Sequence, residues 1–175
     1  GGEYWGIRLD ASGDKLWRRY FGGSNNDRSY DAVQTDDGGF LMTGFSESNT
    51  GTFSSNHGKK DAYVIKLDGE GQLEWQKLLG GSLDEAFSDI VETTDGDFVL
   101  VGYNQSDDGQ VIGHIESAGS FPTTDGWVVK LNSTGTIIWQ KSLGGRQSDV
   151  FSKVAITDDG GYIVLGQSLS STVDV

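Results

Sequence analysis

One pattern occurs three times in this chain, and nothing else in the sequence restricts the fold as much. Leu9, Leu67 and Leu131 are equivalent, and each is followed at constant spacing by a tryptophan (Trp17, Trp75, Trp139) and a glycine pair (Gly22-Gly23, Gly80-Gly81, Gly144-Gly145). An acid comes next (Asp27, Glu85, Asp149), then a Thr-x-Asp-Gly turn at Thr35, Thr93 and Thr157, then an aromatic at Phe40, Phe98 and Tyr162. Repetition of this kind calls for stacked, equivalent structural units.

Within the second repeat, residues 62–67 and 73–79 are strand-length runs separated by Asp68-Gly69-Glu70-Gly71-Gln72, a hairpin turn. Residues 87–93 and 98–103 likewise flank Thr94-Asp95-Gly96-Asp97, where Asp can bond the turn backbone and Gly can take positive φ. Four short antiparallel strands and no helix per period predict an all-β chain of β-propeller blades, about three of them. Strand 98–103 is almost wholly apolar, as for an inner strand covered on both faces, whereas 73–79 mixes in Glu and Gln, as for one near the rim. One blade therefore reads from the axis outward as A (87–93), B (98–103), C (127–131) and D (137–143). With that phase, residues 1–21 supply strands C and D of one blade, 28–79 and 86–143 are full blades, and 149–170 supply A and B of another. Three blades do not close a ring, because propellers have about four to eight. Either further blades complete it or copies assemble as a homo-oligomer, two copies giving six blades.

Composition narrows the partners. With 26 acidic against 13 basic residues the net charge is -13, which repels phosphate backbones and anionic lipid, so neither nucleic acid nor membrane insertion is expected. The acids are dispersed, as on a solvated surface. The absence of cysteine excludes disulfides, thiolate-bound zinc and thiol catalysis. Apolar runs are only strand-sized. The repeat pattern is already running at Gly1-Gly2-Glu3, so the chain reads as a processed piece or a fragment.

The run Asp61-Ala-Tyr-Val-Ile-Lys-Leu-Asp68, with Trp75-Gln-Lys, Gly80-Gly-Ser and Thr93-Thr-Asp-Gly, resembles the Gly-Gly-Ser-rich repeats of secreted β-propeller proteins of Bacteroidetes-type bacteria. The resemblance covers nearly the whole chain. It implies an extracellular or cell-surface location and a binding, adhesive or scaffolding role. That family often carries an acidic Ser-x-Asp-Gly-Asp-Val connector; the matching stretches here are Ser48-Asn-Thr-Gly-Thr-Phe53 and Ser106-Asp-Asp-Gly-Gln-Val111, which keep none and one of its two acids.

All of the length difference between periods falls in the B-to-C connectors, 44–61 and 102–125. Variable loops on one face of a rigid repeat are where binding concentrates, so the functional face is placed there. Candidate ligand-binding residues are Phe53, His57, Asp107, Asp108, His114, Phe121 and Asp125, with Glu116 in the same connector. Phe53 and Phe121 stand outside the repeated strands and could stack on a sugar. Asp107 and Asp108 are candidate Ca²⁺ ligands, the one cofactor considered, although no stretch has the complete calcium-hand pattern. His57 and His114 lie in the two connectors at non-equivalent positions. The recurrent tryptophans read as packing between blades, and Asp27, Glu85 and Asp149 as turn-holding acids. No nucleophile elbow, phosphate loop or zincin motif is present. The expected function is non-catalytic binding of a glycan or protein ligand. A structural or self-assembling spacer is the alternative, and a carbohydrate-active enzyme would need carboxylates converging from different blades.

Overall fold

The computed structural model describes residues 3–53, 55–115, 119 and 121–171. Among them are twelve strands and no helix: β1 (Tyr4–Leu9), β2 (Lys15–Phe21), β3 (Asp27–Gln34), β4 (Phe40–Ser46), β5 (Asp61–Leu67), β6 (Leu73–Leu79), β7 (Ala86–Glu92), β8 (Phe98–Asn104), β9 (Asp125–Leu131), β10 (Ile137–Leu143), β11 (Asp149–Ile156) and β12 (Tyr162–Ser168). They pair antiparallel in four sheets, β1-β2, β3-β4-β5-β6, β7-β8-β9-β10 and β11-β12. The all-β class expected from the repeats is the class observed. No helix among the described residues is long and apolar enough to cross a membrane.

Turn chemistry places the hairpins. Asp68 Oδ1 accepts from Glu70 N at 3.0 Å and Gln72 N at 2.7 Å, and Asp10 and Asn132 do the same in the β1–β2 and β9–β10 turns. In the other hairpin class the Thr35, Thr93 and Thr157 hydroxyls donate to Asp37, Asp95 and Asp159. Such local side-chain bonds stabilise the turn over a continuing strand.

Successive residues of a strand point to opposite sides of its sheet, and here the two sides belong to different cores. On β5, Tyr63, Ile65 and Leu67 join Tyr4, Phe21 and Met42 between the first and second sheets. Ala62 and Val64 point the other way and meet Phe87, Leu100, Trp127 and Val129 of the third sheet. Val99, Val101 and Val128 in turn face Val154 of the fourth sheet. Each sheet is thus packed on its neighbours in chain order, and a one-residue slip of any central strand would exchange its two cores.

The recurrent tryptophans join neighbouring sheets. Trp17 meets Phe40 edge-on at 5.6 Å, Trp75 meets Phe98 at 6.2 Å and Trp139 meets Tyr162 at 6.0 Å between ring centroids. A second set of links runs between the first strands of the sheets. Each of these strands is irregular at the same point, between Ser29 and Asp31, Phe87 and Asp89, and Phe151 and Lys153, as at a β-bulge that re-aims a side chain. Asp31 Oδ2 then accepts from Ile90 N at 3.1 Å, and Asp89 Oδ2 from Val154 N at 2.8 Å. Lys153 completes the series by pairing with Asp89.

Candidate functional site at the long-connector end

Antiparallel order puts connectors 47–60 and 105–124 at one end of the sheets, together with the glycine-pair turns that lead from one sheet to the next. The two features are bonded to each other in the same way in both repeats. Gly22 O accepts from Thr52 N and Gly80 O from Gln110 N, both at 3.0 Å. The Ser48 hydroxyl accepts from Asn25 N at 3.0 Å as the Ser106 hydroxyl accepts from Leu83 N at 2.9 Å. Glycine is required at the centre of this junction, because a Cβ at Gly23 would stand 2.1 Å from Thr50 O and one at Gly81 2.3 Å from Asp108 Oδ1.

The recurring acid locks the junction. Glu85, fully buried, accepts from Gly81 N at 2.8 Å through Oε2, and from Gln105 N at 3.2 Å and Ser106 N at 3.0 Å through Oε1. Asp27 takes Gly23 N at 2.9 Å and the hydroxyls of Ser46 and Ser48; Asp149 takes Gly145 N and the Ser170 hydroxyl, both at 2.8 Å. Burial pushes the Glu85 carboxyl above the usual carboxylate range, against the pull of the Ser106 hydroxyl and the three amides. These acids hold turns to connectors, as their recurrence suggests.

An acid fastens each connector further down, with a histidine beside it. His57 donates its backbone N–H to Asp61 Oδ2 at 2.9 Å and its ring Nδ1 contacts the same oxygen. His114 Nδ1 lies 3.1 Å from Asp125 Oδ2 without making a hydrogen bond to it, and that oxygen accepts from Ile115 N at 2.6 Å. Asp61 and Asp125 are equivalent, each opening its strand opposite the last residue of the preceding one, Ser46 or Asn104. The two histidines, non-equivalent by spacing, therefore lie against equivalent acids, His57 bonded to Asp61 and His114 within ion-pair distance of Asp125. Burial raises the Asp61 carboxyl, with the His57 bonds opposing it. The Asp–His pair has the composition of a general base with its orienting acid, but its second instance keeps the His114 side chain 3 % exposed. What the two pairs share is the anchoring of a loop.

Where the two connectors approach β6 they enclose a cleft of about 240 Å³, lined by Thr52, Ser55, His57, Gln76, Lys77 and Gln110 among others. Gln76 donates Nε2 to Thr52 O, and its buried Oε1 has no hydrogen-bond donor among the described residues. The equivalent Gln140 donates to Gln110 O and accepts from Trp127 Nε1 at 3.0 Å. Tyr63 stands where Trp127 would be, so the indole donor is missing from the first full sheet.

The sequence-predicted site residues separate into distinct groups. Phe53 is corrected outright: it is 1 % exposed and packs on Tyr4 and Tyr63, at 5.9 and 5.1 Å between ring centroids, so it offers no face to a sugar. Its counterpart Val111 plugs the next core in the same way, a role the alignment of Ser48–Phe53 on Ser106–Val111 carries in the sequence. Asp125 is wholly buried and anchors the connector through Ile115 N, with the His114 side chain buried beside it. Asp108 accepts from Ser82 N at 2.7 Å, standing in for the Thr50 hydroxyl that accepts from Ser24 N. Asp107 and Phe121 are exposed, and Glu116 lies outside the described residues. Of the set, His57 lines the cleft with the buried Phe53 at its wall, beside Gln76 and Gln110, which carry no motif of their own. Among the described residues no three His, Asp or Glu side chains gather as a cation would require. Carboxylates approach one another at three places: Asp31 and Asp89, which both accept from the backbone of a neighbouring sheet, and the pairs Asp61 and Glu85 beside Gly80 and Asp125 and Asp149 beside Gly144.

No family model matches the chain, and comparison with curated proteins gives no match.

Proposed function

We propose that the four-stranded sheets are blades of a propeller and that the chain is a non-catalytic binding module whose ligand is held at the long-connector end. The single observation that carries this reading is Gln76 Oε1, a buried acceptor without a donor among the described residues, beside a cleft of about 240 Å³. A buried acceptor left alone costs about 1–3 kcal/mol, and a ligand hydroxyl placed in the cleft recovers that cost. The same cleft is lined by Ser55, Thr52, His57, Lys77 and Gln110 with Phe53 and Leu78, a mostly polar lining suited to a polyhydroxylated ligand. A glycan is therefore favoured over a protein epitope. The two connectors reach the cleft already fastened by Glu85, Asp61 and Asp125, so little ordering is left for binding to accomplish. Asp27, Glu85 and Asp149 each accept the second glycine amide of their own turn, a turn-holding role that favours binding over turnover. An extracellular or cell-surface location is part of the proposal and rests on the resemblance of the repeats.

The test is a glycan array followed by calorimetry on any hit, in buffers with calcium and with chelator. Binding that falls at least tenfold in Gln76→Leu and in His57→Ala, with the fold intact by circular dichroism, supports the reading. Binding untouched by both substitutions, or sugar release on a polysaccharide panel, contradicts it.

A further inference from the structure

Among the described residues neither β1 nor β12 has a second strand beside it, and the two edges complement each other. In the full sheets, Met42 pairs with Ile65 across β4–β5 and Leu100 with Val129 across β8–β9. By the repeat, Val164 of β12 corresponds to Met42 and Leu100, and Ile7 of β1 to Ile65 and Val129. We propose that β12 of one copy of this chain pairs antiparallel with β1 of a second copy, Val164 opposite Ile7, and that the reciprocal joint closes two copies into a ring of six four-stranded sheets. The proposal rests on the stacked-blade reading above and is independent of any ligand.

Three features of the surface fit this occupant. First, Trp127 stacks on Phe87 at 5.0 Å and 15° in the third sheet, whereas the equivalent Phe151 borders an apolar cleft of about 370 Å³ with Leu143 and Val164. The residue equivalent to Trp127 is Trp5, which is 53 % exposed at the other end of the chain. In the joint, Trp5 of the second copy enters that cleft and covers Phe151. Second, Gly71 and Gly135 rest on the rings of Trp17 and Trp75, while their equivalent Gly13 has the same left-handed φ and open space around it. Pairing sets Gly13 of the second copy over Trp139, the one recurrent tryptophan lacking its glycine. Third, a groove of about 510 Å³ runs along β1 beside β3, between Trp5, Ile7, Tyr30 and Phe40. That is the space strands β11 and β12 of a neighbouring copy would fill. Ile163 and Leu165, each 64 % exposed, would turn from solvent into it. Apolar edge strands of this kind are otherwise aggregation sites, and closure removes them.

The chain contains no cysteine, so pairing can be read by cross-linking. Directly opposed strand residues lie about 4.5–5.5 Å apart at Cα, within disulfide reach. The double variant Ile7→Cys/Val164→Cys is oxidised and compared with Ile7→Cys/Tyr162→Cys, whose register is wrong by two residues. Sedimentation of the wild type is compared with Leu165→Lys and Trp5→Ser, both at exposed positions that leave the single-chain fold intact by circular dichroism. The proposal expects twice the chain mass for the wild type, the single-chain mass for both variants, and a covalent dimer only in the matched cysteine pair. A wild type that sediments as a single chain at every concentration, a ladder of higher multiples, or equal cross-linking in both cysteine pairs overturns it. Glycan binding plays no part in these readouts, so failure of the ligand reading leaves them unaffected.

Discussion

Trp17 lays its indole ring against Gly71 of the next sheet, so closely that a Cβ on the glycine would lie 2.8 Å from the ring. Gly71 also has a φ of 76° and its carbonyl accepts from Arg19 Nε at 3.0 Å. Hairpin turn and sheet packing thus meet at one atom. Gly71→Ala combines a left-handed alanine with an overpacked ring and is expected to destabilise by about 3 kcal/mol. Gly13→Ala has the same backbone requirement without the ring and should lose only about 1–2 kcal/mol. Urea denaturation in the Leu165→Lys background, where edge pairing is removed, checks the difference; equal losses would contradict the Trp17 contact.

Glu85 accepts three backbone N–H groups with two oxygens in a fully buried position. Glu85→Ala leaves all three without an acceptor and should cost about 3 kcal/mol or more. Glu85→Gln keeps one oxygen but sets an amide NH₂ against an N–H, so about 1–3 kcal/mol is expected. Because burial raises this carboxyl, its contribution is largest below the ordinary carboxylate range and is lost as pH rises through the raised value. The glutamine variant should lack that part of the pH dependence in denaturation curves taken across the acid range.

Lys66 is a cation held between two acids, its Nζ 2.7 Å from Asp37 Oδ2 and 2.8 Å from Glu74 Oε2. The bond from Lys66, then that from the Thr35 hydroxyl, lowers the Asp37 carboxyl to about 2. The stability linked to that shift is present above the ordinary aspartate value of about 3.9 and lost as pH falls toward the lowered one. Asp37 is largely exposed, so the linked stability is under about 1 kcal/mol. In Lys66→Met, carbon-detected NMR titration of Asp37 should move its midpoint most of the way back to the ordinary value; an unmoved midpoint would contradict the ion pair.

Asp89 joins the third and fourth sheets by accepting from Val154 N at 2.8 Å and pairing with Lys153. Asp89→Ala should cost about 1–3 kcal/mol and should free the Val154 amide to exchange. Amide exchange followed by mass spectrometry resolves it, with β11 expected to lose protection before β9.

The strand pairs were readable because each hairpin carries its own chemistry: Asp-Gly and Thr-x-Asp-Gly signals sit where the chain reverses, and the tryptophan spacing repeats with the sheets. The recurrent acids, too, read as turn-holding residues from their repetition alone. Phe53 misled because a lone aromatic in a polar connector looks exposed, whereas the glycine at Gly51 turns the chain back and inserts the ring beside Tyr4 and Tyr63. The pairing of His57 with Asp61 and of His114 with Asp125 was hidden by unequal spacing, four residues in one case and eleven in the other, which only the folded loops equalise. Gln76 gave no signal by itself. Its unpaired oxygen comes from Tyr63 standing where the next repeat has Trp127, a difference between repeats rather than a motif.

The most direct test of the long-connector end as the recognition surface is an amide-resolved NMR titration of the intact chain with a glycan that binds it. Shifts concentrated at Thr52, Ser55, His57, Gln76 and Gln110, and absent from the hairpins around Gly38, Gly71, Gly96 and Gly135, are the predicted result. Shifts confined to those hairpins at the opposite end would contradict it.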